Sequence, residues 1–220
     1  MNLAKTIDHT LLKPDACQAD IERLCREAVT HGFFSVCVNS SWVKTARAAL
    51  RGSDIAVAAV TGFPLGAMTT TAKAFETAQA IADGATEIDT VLHVGRLKQG
   101  DDAYVRDDLK AVVDAAAGRA VKVIFETCLL SEEEKIQACH LAVEAGAAFV
   151  KTSTGFSTGG ATKEDVRLMF RTVDGRCQVK ASGGIRDRAA ALAMIEAGAS
   201  RLGTSAGAAI LAGETASGSY

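Results

Sequence analysis

The chain is poor in most of the features that mark specialised protein classes. Its 220 residues hold two prolines, one tryptophan and two tyrosines. With no Ser/Pro-rich stretch and no charge block, nothing divides the sequence, and the length suits one well-buried domain. No basic run is present: 24 basic and 26 acidic residues are spread along the chain for a formal net charge of -2, which argues against a nucleic-acid partner. No apolar run approaches the ~20 residues that cross a bilayer. The start, Met1-Asn2-Leu3-Ala4-Lys5-Thr6-Ile7-Asp8, lacks the apolar segment of a secretory signal. A cytoplasmic protein without a membrane partner is expected. The cysteines, Cys17, Cys25, Cys37, Cys128, Cys139 and Cys177, include no Cys-x-x-Cys and no nearby histidine at zinc spacing, so reduced thiols and no metal are expected.

What is present is a regular alternation. Short β-rich or apolar runs begin near Ile7, Phe33, Ile55, Glu87, Val121, Phe149, Cys177 and Arg201. Between them lie amphipathic segments: Asp20 to His31, Trp42 to Leu50, Thr71 to Ala82, Asp102 to Ala116, Glu132 to Glu144, Lys163 to Val173 and Asp187 to Ala197. Several close on glycine, as in Glu144-Ala145-Gly146, and Ser131 with Glu134 reads as a capping box, with Thr162 and Asp165 a weaker one. Eight βα units in this length suit a single (β/α)8 TIM barrel over 1–220, with a short mobile tail from about Gly213. The competing doubly wound sheet lacks its Gly-x-Gly-x-x-Gly turn after the first strand.

Two similar strings carry the chemistry. Val150-Lys151-Thr152-Ser153-Thr154-Gly155 and Val179-Lys180-Ala181-Ser182-Gly183-Gly184 each end a strand with a lysine and a small-residue loop. Neighbouring parallel strands lie about 4.8 Å apart. At about 5 Å and an effective dielectric of about 20, two ammonium groups repel by on the order of 3 kcal/mol, roughly two pKa units. One amine is then easy to deprotonate and able to attack a carbonyl, and spacing alone does not say which.

Strand parity aims Asp89, Glu126, Lys122, Cys37 and Asn39 into the barrel beside these lysines. Asp89 is a candidate proton carrier or a simple counter-charge. Lys122 starts its strand near the barrel floor, where Glu87 or Asp8 can neutralise it. Cys37 is a candidate site thiol or a small buried hydrophobe. Of the four histidines only His9 has a route to the pocket, with a hydrogen-bonded core residue as the competing reading. Three loops suit an anion: Thr154-Gly155-Phe156-Ser157, Ser182-Gly183-Gly184-Ile185 and Gly203-Thr204-Ser205-Ala206-Gly207. Their convergence beside the lysines points to a phosphorylated substrate.

These residues resemble the class I deoxyribose-phosphate aldolases. The likeness runs through Ile7-Asp8-His9-Thr10-Leu11-Leu12, Val36-Cys37-Val38-Asn39, Gly62-Phe63-Pro64-Leu65-Gly66, Glu87-Ile88-Asp89, Val123-Ile124-Phe125-Glu126-Thr127, both lysine strings and Gly203-Thr204-Ser205. The resemblance implies reversible, metal-independent and cofactor-free cleavage of 2-deoxy-D-ribose 5-phosphate into D-glyceraldehyde 3-phosphate and acetaldehyde. It implies that Lys151 forms a Schiff base, Lys180 lowers its pKa and Asp89 relays protons through water. Gly155, Gly183, Gly184, Gly203 and Ser205 would hold the phosphate, and Tyr220 would fold over the site as a mobile proton relay. The chain departs from the family pattern at Leu92-His93, where Ile-Asn is more familiar, which puts the hydrogen bonding above Asp89 in question. A homo-oligomer is expected, as for many barrel enzymes.

The alternatives are a transaldolase-like or keto-acid aldolase, a non-catalytic phosphate-ligand barrel, and an isomerase. A keto-acid donor would call for an arginine in the pocket, for which Arg186 is the candidate, although its position after the phosphate loop suggests a solvent-facing side chain.

Overall fold

Short Val- and Ile-rich runs separated by amphipathic segments are accommodated by a parallel sheet whose outer face is covered by helices. The computed structural model describes residues 2–216 and shows that arrangement. Eight strands follow one another in sequence order around a closed parallel barrel. They are β1 (Ile7–Leu11), β2 (Ser35–Asn39), β3 (Ala56–Thr61), β4 (Glu87–Val91), β5 (Ala120–Ile124), β6 (Phe149–Lys151), β7 (Gln178–Ser182) and β8 (Arg201–Thr204). The helices are α1 (Gln18–His31), α2 (Val43–Ala49), α3 (Thr70–Ala82), α4 (Val94–Lys98), α5 (Asp102–Ala115), α6 (Glu132–Glu144), α7 (Lys163–Val173), α8 (Arg188–Glu196) and α9 (Gly207–Ala212).

All eight expected strands and all seven expected helices are present. The short helices α4 and α9 were not foreseen, because a five- or six-residue helix is too brief for its periodicity to register. Ser131 and Glu134 close their capping box at the head of α6, and Thr162 Oγ1 accepts from Asp165 N at 3.0 Å. Among the described residues no helix is long and apolar enough to cross a membrane.

Alternation divides the barrel into two environments. Val36, Val38, Val57, Ile88, Val123 and Val150 face outward and join the main apolar core beneath the helices. Their neighbours Ser35, Glu87, Asp89, Lys122 and Lys151 are also buried, but inside the barrel. A one-residue slip would exchange the two faces, so the register is strongly determined. It pairs Val60 with Asp89, Asp89 with Lys122, and Lys151 with Lys180. Gly66 closes the loop after β3 against the end of β4, where a Cβ would lie 2.1 Å from Leu92 O.

Ala216 N donates to Arg186 O at 3.1 Å, which ties the last described residue to the mouth of the barrel. Tyr220 and the rest of the tail beyond 216 lie outside the described residues.

A buried ion pair outside the barrel interior went unread in the sequence. Lys73 of α3 donates to Asp108 of α5 at 2.6 Å and to Val91 O at the end of β4 at 2.9 Å, and neither charged side chain has any exposure. Removing one member of such a pair strands the other charge in the core. Asp108→Ala is therefore expected to lower the unfolding free energy by about 3–5 kcal/mol, measured by urea unfolding; a loss within the ordinary surface range of about 0.5 kcal/mol would show that the pair is not buried in solution.

Candidate active site

The lysines that end β6 and β7 meet at one carboxylate. Lys151 and Lys180 each donate to Asp89 Oδ2 at 2.8 Å. Lys122, one strand along from Asp89, donates to Asp89 Oδ1 at 2.7 Å and lies 2.7 Å from Glu87. Lys122 is thus joined to the site rather than confined to the floor, because it stands in register with Asp89 on the neighbouring strand, and its amine reaches both Asp89 and the Glu87 carboxylate that the sequence offered as its partner.

Two further residues complete the cluster, and only one had been considered. Asp8 of β1, expected at most to neutralise Lys122, lies 4.0 Å from that amine and instead accepts from Lys180 at 2.5 Å. Arg201 of β8 donates to Asp8 at 2.7 Å and to Glu87 at 3.1 and 3.3 Å, with its guanidinium over the Phe34 ring. The alternation of Asp8 and Thr10 with Ile7, His9 and Leu11 carried the signal for Asp8 in the sequence. Nothing local marked Arg201.

The two lysines are not equivalent. Burial pushes the Lys151 amine below the ordinary lysine value; Asp89 resists the shift, and the charge on Lys180 adds to it. Burial also opposes charge on Lys180, but Asp8 and Asp89 together override it and hold that amine well above the ordinary value. The expected mutual repulsion is therefore real but secondary to burial, and the second carboxylate breaks the symmetry. Lys151 is also the most open of the three amine side chains, at 3% exposure against none for Lys122 and Lys180. Burial works against the Asp89 carboxylate, yet Lys122, Lys151 and Lys180 keep it ionised well below the usual range. In this cluster three carboxylates, Asp8, Glu87 and Asp89, face four cations, and deprotonating Lys151 balances the charge.

The other inward candidates make no hydrogen bond to the lysines. Glu126 does not face the lysines: its backbone turns into the left-handed region at φ 57 as β5 ends, and its carboxylate accepts from Thr154 Oγ1 and, at 3.3 Å, from Thr154 N. It latches the loop after β6. Cys37 packs with Leu12, Ala58 and Val60, and burial raises its thiol pKa, so the proton stays on. Asn39 donates to Leu12 O at 3.2 Å. His9 faces the helix layer, with Nε2 2.7 Å from Glu27, as a hydrogen-bonded core residue. His93 caps α4, accepting from Arg96 N at 3.3 Å, and meets Tyr104 edge to face, so the altered Leu92-His93 pair leaves Asp89 to its three amines.

Beside the lysines opens a cavity of about 490 Å³. Its lining includes Gly155, Gly183, Gly184, Gly203 and Ser205, so all three expected loops converge, and Arg186 lines it too. Arg186 is exposed, as expected, yet places a cation at the rim. Gly183 sits at φ 85, where a Cβ would come 3.0 Å from Gly160 Cα, and a Cβ on Gly203 would press on Lys180 Cε at the same distance. The loop containing Gly160 joins the cavity wall without having been foreseen. Ser182 Oγ donates to Ser153 O at 2.6 Å and Ser182 N to Thr152 Oγ1 at 3.0 Å, bracing the strand ends that carry the lysines. A buried amine poised to lose its proton, an ionised carboxylate and a backbone-lined anion cavity together suit nucleophilic attack on the carbonyl of a phosphorylated compound.

Comparison with known proteins places the chain among aldolases. The model of the DeoC/LacD family aldolases matches residues 3–213. The chain is 60% identical over 220 residues to a deoxyribose-phosphate aldolase of Geobacillus sp. (strain WCH70), covering 100% of this chain and 99% of that one. It is 63% identical over 212 residues to the same-named protein of Alkaliphilus oremlandii, covering 96% of each. Among solved structures it is similar to the tetrameric deoxyribose phosphate aldolase of Aeropyrum pernix, with a TM-score of 0.89, 32% identity and coverage of 96% of this chain and 89% of that one.

The charge cluster has a consequence for acid stability. Asp8, like Asp89, is depressed in the folded state: burial opposes its charge, but Lys180, Lys122 and Arg201 prevail. A depressed carboxylate contributes stability in full above its unfolded pKa of about 4 and loses it as the pH falls through the folded value. The unfolding free energy is expected to be smaller at about pH 3 than at about pH 6, and Asp8→Asn should reduce that difference in urea titrations. An identical pH dependence in the variant would contradict the pairing.

Proposed function

The chain belongs to the DeoC/LacD family of aldolases and reversibly cleaves 2-deoxy-D-ribose 5-phosphate into D-glyceraldehyde 3-phosphate and acetaldehyde, and we propose that it does so through a Schiff base on Lys151. The observation that carries this reading is the unequal sharing of Asp89: Lys180 has Asp8 as a second carboxylate and keeps its proton, whereas among the described residues Lys151 pairs with Asp89 alone.

In the cleavage direction the neutral Lys151 Nζ attacks C1 of the open-chain sugar. Water leaves the carbinolamine, and the resulting iminium draws electrons from the breaking C2–C3 bond. Only that bond gives a two-carbon and a three-carbon product. As it breaks, the C3 hydroxyl loses its proton and becomes the aldehyde of glyceraldehyde 3-phosphate. The enamine left on Lys151 takes a proton at C2, and water releases acetaldehyde. Asp89 passes these protons through water rather than holding them, since its three ammonium neighbours make it a weak base. Lys180 stays charged and disfavours a proton on Lys151. The phosphate is held by loop amides at Gly155, Gly183, Gly184 and Gly203, the Ser205 hydroxyl and the Arg186 guanidinium. A role for Tyr220 as a proton relay belongs to the same proposal, from the family resemblance.

The enzyme is further proposed to act in the cytoplasm as a homo-oligomer. The tetrameric state of the Aeropyrum pernix relative supports assembly, and Leu65, Phe75 and Phe170 offer apolar side chains at the surface, 77%, 72% and 51% exposed. Light scattering at micromolar concentration is expected to give a multiple of 22.8 kDa; the mass of a single chain would discard the assembly.

Borohydride reduction with acetaldehyde is expected to leave an ethyl group on Lys151, located by peptide mass mapping. An adduct on Lys180 would exchange the two roles, and no specific adduct would remove the Schiff base from the proposed mechanism. Lys151→Leu should abolish turnover while leaving phosphate binding largely in place. Lys180→Leu should lower turnover by on the order of 10²–10⁴-fold and move the alkaline dependence of imine formation upward, because Lys151 loses a repelling cation and gains a larger share of Asp89. An unmoved pH profile would remove Lys180 from the mechanism.

A further inference from the structure

Part of the barrel interior is apolar. Cys37, Ala58 and Val60 pack with Leu12 as a small cluster apart from the main core, and Phe63 from the loop after β3 leans against it. Val60 is the register partner of Asp89, and Ala58 that of Cys37. The patch therefore begins on the side of Asp89 away from Lys122. Phe63 also meets Phe156 edge to face, with ring centroids 5.2 Å apart, so an aromatic roof runs from the β3 loop to the loop that follows Lys151.

The polar side chains bordering this patch are engaged elsewhere. The Thr10 hydroxyl donates to Asp8 O at 2.8 Å, and the Asn39 amide donates to Leu12 O at 3.2 Å. The Thr10 proton and one Asn39 N–H are thus committed, and on the patch itself the polar group is the Cys37 thiol, a weak donor and acceptor.

We propose that this patch receives C2 of the imine formed on Lys151 and sets the preference for a sugar phosphate without a 2-hydroxyl, which in the synthetic direction is a preference for acetaldehyde over glycolaldehyde. The inference rests on the Schiff-base reading of Lys151. With C1 bound to Lys151 and the phosphate in the cavity of the loops after β6 to β8, C2 lies beside Asp89 and faces Val60 and Cys37. A hydrogen on C2 meets methyl groups and sulfur. A hydroxyl turned onto this face gives up its water partners for methyl groups and a thiol. An apolar pocket separates compounds that differ by one hydroxyl by about 10²-fold, and that is the size of effect expected.

The test measures borohydride-trapped adduct on Lys151 with acetaldehyde and with glycolaldehyde, each rate divided by the rate with a free alkylamine. Wild type is expected to favour acetaldehyde by about 10²-fold. Val60→Thr, nearly the same shape but with a hydroxyl, should cut that preference by on the order of tenfold, and Ala58→Ser should shift it the same way. Val60→Ala, which adds room without polarity, should keep it. Equal normalised rates in wild type would overturn the proposal whether or not the variants fold. So would unchanged ratios in both polar variants, or a collapse of the preference in Val60→Ala, which would assign the selection to size. Absence of any acetaldehyde adduct on Lys151 would instead overturn the Schiff-base reading.

Discussion

The Asp89 carboxylate, with three lysine amines around it, is the constraint on which the rest of the site depends. A buried carboxylate is tolerated only when paired, and the same holds for each amine. One carboxylate cannot satisfy three ammonium groups, so Asp8 and Glu87 are drawn in from β1 and β4, and Arg201 of β8 ties those two together. The set still carries more positive than negative groups. Burial makes that surplus costly, and the amine with the weakest hold on its proton is the one nearest the mouth. Reactivity at Lys151 is thus the outcome of satisfying every other charge in the barrel.

Such an interior would be a liability in a protein that relied on it for stability. Here the burden falls outside, on the Val, Ile, Leu and Ala layer between strands and helices. The loops are held with comparable care. Glu126 accepts a left-handed backbone to fasten Thr154, and Thr154 in turn accepts from Phe156 N at 3.0 Å. Lys73 fixes the end of β4 two residues beyond Asp89. These latches act on the strand ends where sub-ångström placement decides whether a nucleophile reaches its carbonyl.

Much of this was legible in the sequence because it follows from alternation within single strands and from pairing between consecutive ones. The parity of Glu87-Ile88-Asp89 and the twin lysine strings were enough to put Asp89, Lys151 and Lys180 in one interior. What stayed hidden depends on contacts between distant segments or on the departure from regular backbone. Asp8 and Lys180 are 172 residues apart, and Lys73 and Asp108 are 35 apart and on different helices. Lys122 was placed too low because parity fixes the face of a strand but not its register against the neighbouring strand, and it is the register that sets Lys122 beside Asp89. Glu126 was misplaced because the period of two ends where the strand does, at Ile124.

The described residues enter this barrel at one end and reach Ala216 at the other. The short helix Leu3–Thr6 leads into the N-terminal end of β1, on the face away from the lysine loops. The last described residue, Ala216, is tied to Arg186 at the rim of the anion cavity and forms part of its wall. Cargo fused directly after Ala216 would emerge beside the opening through which substrate enters. A support, dye or second enzyme attached directly before Leu3 would sit behind the barrel and leave the mouth clear.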